Sequence, residues 1–388
     1  MNLRNPKSKL LLGPGPSNAD PRVLRALSEP TIGHLDPDFV KIMDETTDLL
    51  RYVFQTANQL TIPISGTGSA GMETAIVNSI EPGDKAIICV AGVFGERMVD
   101  VAERSGAVVV RVDGPWGSIV DPEDVRKAIK ENPDAKIIGI VHAETSTGVL
   151  QPLEDIASMA HENGMRIVVD AVTSLGGVKV PVDELELDFV YSGTQKCLSC
   201  PPGLAPVTVG PRALDFIKNR ETKCQSWYLD LAMISRYWGS ERFYHHTAPV
   251  NMIYALNEAL RIIKEEGLES RWARHQLNQQ ALITGLEAMG MKLVVEPDYR
   301  LPSLTTVYLP DDADDVLVRS RLLKEYDIEI GAALGEFKGR VWRIGLMGTN
   351  STKGNVVTFL AALEDVLTSV GAKINPGVGL QAASAVYR

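Results

Sequence analysis

The chain has 388 residues, of which 45% are hydrophobic and 23% charged, and it carries a formal net charge of -10 at pH 7. A nucleic acid or an anionic membrane gains little from so acidic a surface, and no apolar run is long enough to span a bilayer. The length exceeds what one core usually fills, so a two-domain enzyme acting on small molecules is expected.

Met1 to Lys9 is polar and basic, and the apolar run Leu10 to Leu12 stops at Gly13-Pro14, so no secretory signal core forms and a cytoplasmic location is expected. A strand is read at Leu60 to Ile64, followed by a glycine-rich turn and a helix. Lys85 to Val90, Val108 to Val112, Lys136 to Val141, Arg166 to Val169, Phe189 to Tyr191 and Pro206 to Val209 then read as buried strands. Amphipathic stretches lie between them at Gly95 to Arg104, Asp121 to Lys130 and Leu153 to Asn163, which predicts a mainly parallel sheet covered by helices. Asp121-Pro122 supplies a helix start and Asn163-Gly164 a stop. After about Gly267 the pattern changes. A charged helix at Glu269 to Met289 leads to strands at Lys292 to Glu296 and Leu304 to Tyr308 and a helix at Asp315 to Glu325. Strands at Glu329 to Ile330 and Val341 to Ile344 and a helix at Val356 to Val370 follow. The expected division is an N-terminal arm over 1–20, a large α/β domain over 21–265 and a smaller α+β domain over 266–388. Cys89, Cys197, Cys200 and Cys224 lack the spacing of a disulfide framework or a zinc site and are expected to be free thiols.

The turn Gly66-Thr67-Gly68-Ser69-Ala70-Gly71 matches a dinucleotide fingerprint, which also requires an acid at the end of the next strand to hold a ribose. That strand ends in Ala91-Gly92, so a NAD-dependent dehydrogenase is the weaker reading. A glycine turn opening a helix still offers free N–H groups and a positive dipole end to a phosphate, with the Thr67 and Ser69 hydroxyls beside them. Asp170 ends one apolar strand, and Lys196 follows another in Tyr191-Ser-Gly-Thr-Gln-Lys. In a parallel sheet an amine, a carboxylate and a phosphate cradle then meet at the carboxyl edge. Pyridoxal phosphate (PLP) uses those three groups: a lysine to bond it, an acid for its ring nitrogen and donors for its phosphate.

Leu11-Leu-Gly-Pro-Gly-Pro-Ser17, Ser192-Gly-Thr-Gln-Lys196, Pro201-Pro-Gly203, Tyr244-His-His-Thr247 and Arg343-Ile-Gly-Leu346 resemble the alanine–glyoxylate and serine–pyruvate aminotransferases, class V members of the fold-type I PLP enzymes. The resemblance runs in order from about Leu10 to the last helix. It implies that Lys196 bonds the cofactor, that Asp170 pairs with the ring nitrogen, and that Val172 and Phe94 cover the two ring faces. Many relatives have tryptophan at the Phe94 position. Thr145 would contact the ring oxygen, and Thr67, Gly68, Ser69 and Gln195 the phosphate. Tyr244 and Thr247 would reach the phosphate of a partner subunit, making a homodimer with shared sites. Arg343 would clamp the substrate carboxylate, with Gly15 and Thr145 beside it. Without the resemblance, Tyr-His-His-Thr reads as a possible metal site, but it lacks a third ligand at suitable spacing.

The implied reaction is transamination between L-alanine or L-serine and an oxo acid, glyoxylate or pyruvate. Cysteine desulfurases of the same class carry histidine before the lysine, where this chain has Gln195. Ureidoglycine–glyoxylate aminotransferases tend to carry glutamine and asparagine at the positions of His34 and Tyr244. A non-catalytic cofactor-binding protein is expected to lack Lys196 or Arg343, and both are present.

Overall fold

The computed structural model describes residues 6–388. Its largest element is a seven-stranded sheet in the order Leu60–Ser65, Leu204–Val209, Phe189–Tyr191, Arg166–Asp170, Ile137–Val141, Lys85–Val90 and Val108–Asp113. Leu204–Val209 runs antiparallel to both neighbours, and the remaining paired strands are parallel. The apolar runs form central strands because helices cover both faces, leaving Ile137–Val141 and Leu204–Val209 buried along their whole length. The edge strand Val108–Asp113 is largely exposed and carries Arg111 and Asp113, charges that discourage further pairing.

Helix starts follow local chemistry. Asp121 accepts a hydrogen bond from the Glu123 N–H at 2.9 Å with Pro122 behind it, as its sequence predicts. Asp20-Pro21 and Asp36-Pro37 repeat the device and open Pro21–Leu27 and Pro37–Phe54, two helices that the sequence reading leaves out.

Two large apolar cores are separate. One gathers residues from Val23 to Leu268 around the large sheet. The other joins Leu12 to residues between Ala281 and Ala383, around the sheet of Leu304–Tyr308, Val341–Gly345 and Gly331–Ala332. The N-terminal strand Leu10–Leu11 therefore belongs with the second core, where it pairs in parallel with Ile328–Glu329. The strand expected at Lys292 to Glu296 does not form. The segment makes only an isolated bridge from Leu293 to Val307 before turning into the short helix Pro297–Tyr299, because proline supplies no N–H to extend a ladder. Among the described residues no helix is long and apolar enough to cross a membrane.

Candidate active site

Asp170 closes its strand at the carboxyl edge of the large sheet. Its carboxylate accepts from the Val172 N–H at 2.8 Å and from the Tyr191 hydroxyl at 2.8 Å. Tyr191 stands there because it is the register partner of Asp170 in the adjacent strand. Burial raises the Asp170 pKa to about 6, against the pull of those two hydrogen bonds. Lys196 follows that adjacent strand, is buried, and its Nζ contacts the Pro14 carbonyl. Burial first, and the Arg343 charge second, lower the lysine to about 8. An amine so placed releases its proton far more readily than a surface lysine.

Thr67, Gly68, Ser69, Phe94, Asp170, Val172, Gln195 and Lys196 line one cavity of about 190 Å³. Met72 and Arg97 line it too, and the sequence reading passes over both. Arg97 follows Phe94 by one helical turn, lies 4.8 Å from its ring centroid and donates to Ser69 Oγ at 3.2 Å. That spacing is the signal that could have found it. Two wider clefts, of about 740 and 780 Å³, lie around Lys292 and Lys373 and around Asp183 and Lys218. Neither combines a buried lysine, a carboxylate and a glycine turn, so size does not identify the site.

Arg343 approaches from the strand Val341–Gly345 beside the second apolar core. It donates from Nε to the Ala332 carbonyl at 2.9 Å and from Nη1 to the Thr145 carbonyl at 3.2 Å, while Nη2 has no protein partner among the described residues. Burial lowers it to about 10, and the buried Glu144 carboxylate opposes that shift. Glu144 accepts from the Phe94 N–H at 3.2 Å and the Gly95 N–H at 3.4 Å, which fixes the start of the helix carrying Phe94 and Arg97. The Thr145 hydroxyl is paired with Thr173 at 2.5 Å. Gly15 has φ +109°, and a Cβ there would lie 2.6 Å from Lys196 Nζ. Gly15 and Arg343 thus border the lysine without lining the cavity itself, and Thr145 is joined to them only through its carbonyl's bond to Arg343.

Tyr244 and Thr247 do not line it either. Tyr244 is 53% exposed, with its ring 5.3 Å from that of His34, and Thr247 is exposed. His245 and His246 face each other through their Nδ1 atoms at 2.9 Å, and His246 Nε2 bonds Ser65 Oγ at 2.9 Å. Among the described residues no three histidine, cysteine or acidic side chains gather as a metal site.

The cavity suits pyridoxal phosphate at each end. At one end the 12-residue helix Gly68–Ser79 begins at Thr67 with no side-chain cap, and among the described residues the Gly68 and Ser69 N–H groups and the Thr67 hydroxyl have no partner and are available to an anion. Gln195 Oε1 is buried there without a hydrogen-bond partner, and an amide flip turns it into a donor. At the other end Asp170 is an acceptor suited to a ring N–H, beside an amine that can bond an aldehyde. Val172 and Phe94 supply apolar walls between the two ends.

Such a pocket at the carboxyl edge of this sheet defines a fold-type I PLP-dependent enzyme. The sequence model described as Aminotransferase class-V matches residues 10–337, and the chain belongs to that family. It is 51% identical to the solved alanine–glyoxylate aminotransferase of Nostoc sp., covering 95% of this chain and 97% of that one with a TM-score of 0.92. The solved ureidoglycine–glyoxylate aminotransferase of Bacillus subtilis is 42% identical over 99% of both chains, with a TM-score of 0.96. The alanine–glyoxylate aminotransferase of Callithrix jacchus is 39% identical over 93% of this chain and 88% of its own. The protein is a PLP-dependent aminotransferase that acts on amino and oxo acids.

Proposed function

We propose that the enzyme transfers the amino group of L-alanine or L-serine to glyoxylate, in a homodimer with shared sites. The observation that carries the choice of a monocarboxylic donor is the single cation found, among the described residues, at the substrate end. Arg343 keeps one terminal nitrogen free beside Lys196, whereas Arg97, the other cation acting on Lys196, bonds Ser69 at the phosphate end. One guanidinium fits one carboxylate, and a dicarboxylic donor would leave its second charge without a counter-ion. His34 and Tyr244 support the choice, since they stand where the resemblance implies glutamine and asparagine for a ureidoglycine donor. The exposed aromatic residues Trp227, Phe243 and Tyr244 suit burial against a second copy of the chain.

Pyridoxal phosphate, when bound, supplies an aldehyde for the amino group and a ring that takes up the charge left at the substrate Cα. The chain's own groups do the rest. Arg343 orients the substrate carboxylate, and Lys196 Nζ, in its neutral form, takes the proton from Cα. Asp170 would hold the proton of the ring nitrogen, and Phe94 and Val172 would keep water from the ring faces. The donor would leave as its 2-oxo acid, and glyoxylate would be converted to glycine with Arg343 holding its carboxylate and Lys196 Nζ returning a proton to its Cα.

The experiment follows the visible absorbance of the purified protein. L-alanine or L-serine should bleach the lysine-bound cofactor band and glyoxylate restore it, with (S)-ureidoglycine much slower. Faster bleaching by ureidoglycine would overturn the donor assignment and favour the activity of the Bacillus relative. A protein that stays colourless with added pyridoxal phosphate would remove the cofactor roles altogether.

A further inference from the structure

Arg271 is not among the residues lining the cavity, yet it is 1% exposed. Nε donates to the Gly176 carbonyl at 3.0 Å, Nη2 to the Cys197 carbonyl at 2.6 Å, and Nη1 to Glu266 Oε2 at 2.7 Å. Gly176 lies in the turns that follow the strand ending at Asp170, and Cys197 follows Lys196. One planar fork therefore spans the two loops that carry the acid and the amine. A buried charge is costly, and an apolar side chain could fill the same volume. What an apolar side chain cannot do is satisfy two carbonyls from different loops at a fixed separation.

The lysine's backbone is held on both sides. Ser17 donates from its N–H to the Gln195 carbonyl at 2.8 Å and from Oγ to the Lys196 carbonyl at 2.8 Å, so three consecutive carbonyls are bound, the third by Arg271. Arg271 also stands on Leu268–Ala288, and one turn further on His275 continues the linkage. His275 Nδ1 donates to the Arg271 carbonyl at 2.7 Å, and Nε2 accepts from the Gly348 N–H at 3.0 Å. Burial, with the Arg271 charge second, lowers His275 to about 3, so it stays neutral and able to accept. Arg274 donates to the Gly348 carbonyl at 3.0 Å and shares Glu266 with Arg271. Gly348 belongs to the segment just after the Arg343 strand, and a Cβ on it would lie 2.7 Å from the Cys197 carbonyl. The helix thereby ties the Asp170 loop, the Lys196 loop and the segment following Arg343 into one frame.

We propose that Arg271 is a positioning residue that sets the placement of Lys196 relative to Asp170 and Arg343 from outside the pocket. This rests on Lys196 being the cofactor-bonding residue and not on the choice of donor.

The test compares Arg271→Met and Arg271→Lys with the parent protein by four readouts. They are the rate at which apoprotein takes up pyridoxal phosphate, the visible circular dichroism per bound cofactor, the split between kcat and KM, and the thermal midpoint. For Arg271→Met, uptake and kcat should each fall about tenfold or more, with altered visible dichroism and donor KM within about threefold, the pattern of misplaced rather than missing groups. Arg271→Lys should lie between, since an ammonium can serve one carbonyl but not the pair. Parent-like uptake, dichroism and kcat in folded Arg271→Met overturn the proposal. If that variant does not fold, the same parent-like values in Arg271→Lys overturn it. Failure of the cofactor assignment is separate, because it would show as a parent protein that takes up no cofactor at all.

Discussion

The carboxyl edge of the large sheet and the segment around residues 222–249 contribute to the proposed site in opposite ways. At the sheet edge Asp170 and Lys196 are buried and bonded, Asp170 at a strand end in register with Tyr191 and Lys196 on the loop that follows that neighbouring strand. In the other segment Trp227 is 62% exposed and Tyr244 53%, and Leu231–Trp238 is its one helix among the described residues. Groups that handle protons and electrons stand on a packed scaffold, where small displacements are costly. Groups proposed to hold the far end of the cofactor lie on a surface that a second chain would complete. The contrast makes a graded forecast: substitutions at the edge act on chemistry, and substitutions in the segment act on affinity.

The largest effect is expected at Lys196. Lys196→Ala should slow the half-reaction with L-alanine by about 10⁴-fold, since both the covalent anchor and the proton acceptor are gone. Stopped-flow absorbance measures this, and a loss under tenfold would break the assignment of chemistry to the sheet edge. Next comes Arg343→Ala, expected to lower kcat/KM for the amino acid about 10²- to 10³-fold while the cofactor spectrum is kept. Arg343→Lys should recover only part of the loss, because an ammonium cannot hold Ala332, Thr145 and a carboxylate as the fork does.

The sequence discloses much of the first region and little of the second, for a physical reason. A central parallel strand must be apolar along its length, so Arg166–Asp170 and Phe189–Tyr191 announce themselves, and the polar residues at their ends stand out. Tyr191 illustrates the limit. Its hydroxyl bonds Asp170 only because the two strands are neighbours in register, and pairing across the sheet is not written locally. Arg271 is hidden for the same reason, since its partners Gly176 and Cys197 are backbone carbonyls far along the chain. The missed helices differ, because Asp20-Pro21 and Asp36-Pro37 carry the same start signal as Asp121-Pro122 and were legible without any fold.

A third prediction sharpens the contrast through stability. Burial raises Asp170 from 3.8 to about 6, so between those values the folded apoprotein keeps a proton that the unfolded chain has released. Stability contributed by this group therefore falls as pH rises through that window and stays lower above it, by about 3 kcal/mol from the roughly two-unit shift. Asp170→Asn should thus stabilise the apoprotein at pH 8 by up to about 3 kcal/mol and give little gain near pH 4, while the half-reaction slows. Urea unfolding at the two pH values measures it, and a gain independent of pH would mean that the carboxylate is not the strained group.

The smallest effect belongs to the exposed segment. Tyr244→Phe removes one hydroxyl and should weaken cofactor binding by about tenfold, the worth of one hydrogen bond to a charged group, with the rate of the loaded enzyme nearly unchanged. Which chain supplies that hydroxyl is decided by combining Lys196→Ala subunits with Tyr244→Phe subunits. The lysine-bearing site of such a heterodimer contains the Tyr244→Phe chain's own lysine and faces an intact Tyr244 on the other subunit. If the segment acts across the interface, that site binds the cofactor with parent affinity, tighter than in the Tyr244→Phe homodimer. Were affinity to stay at the homodimer's weakened value, Tyr244 would act within its own chain. The sheet edge and the exposed segment would then be two parts of a single-chain site.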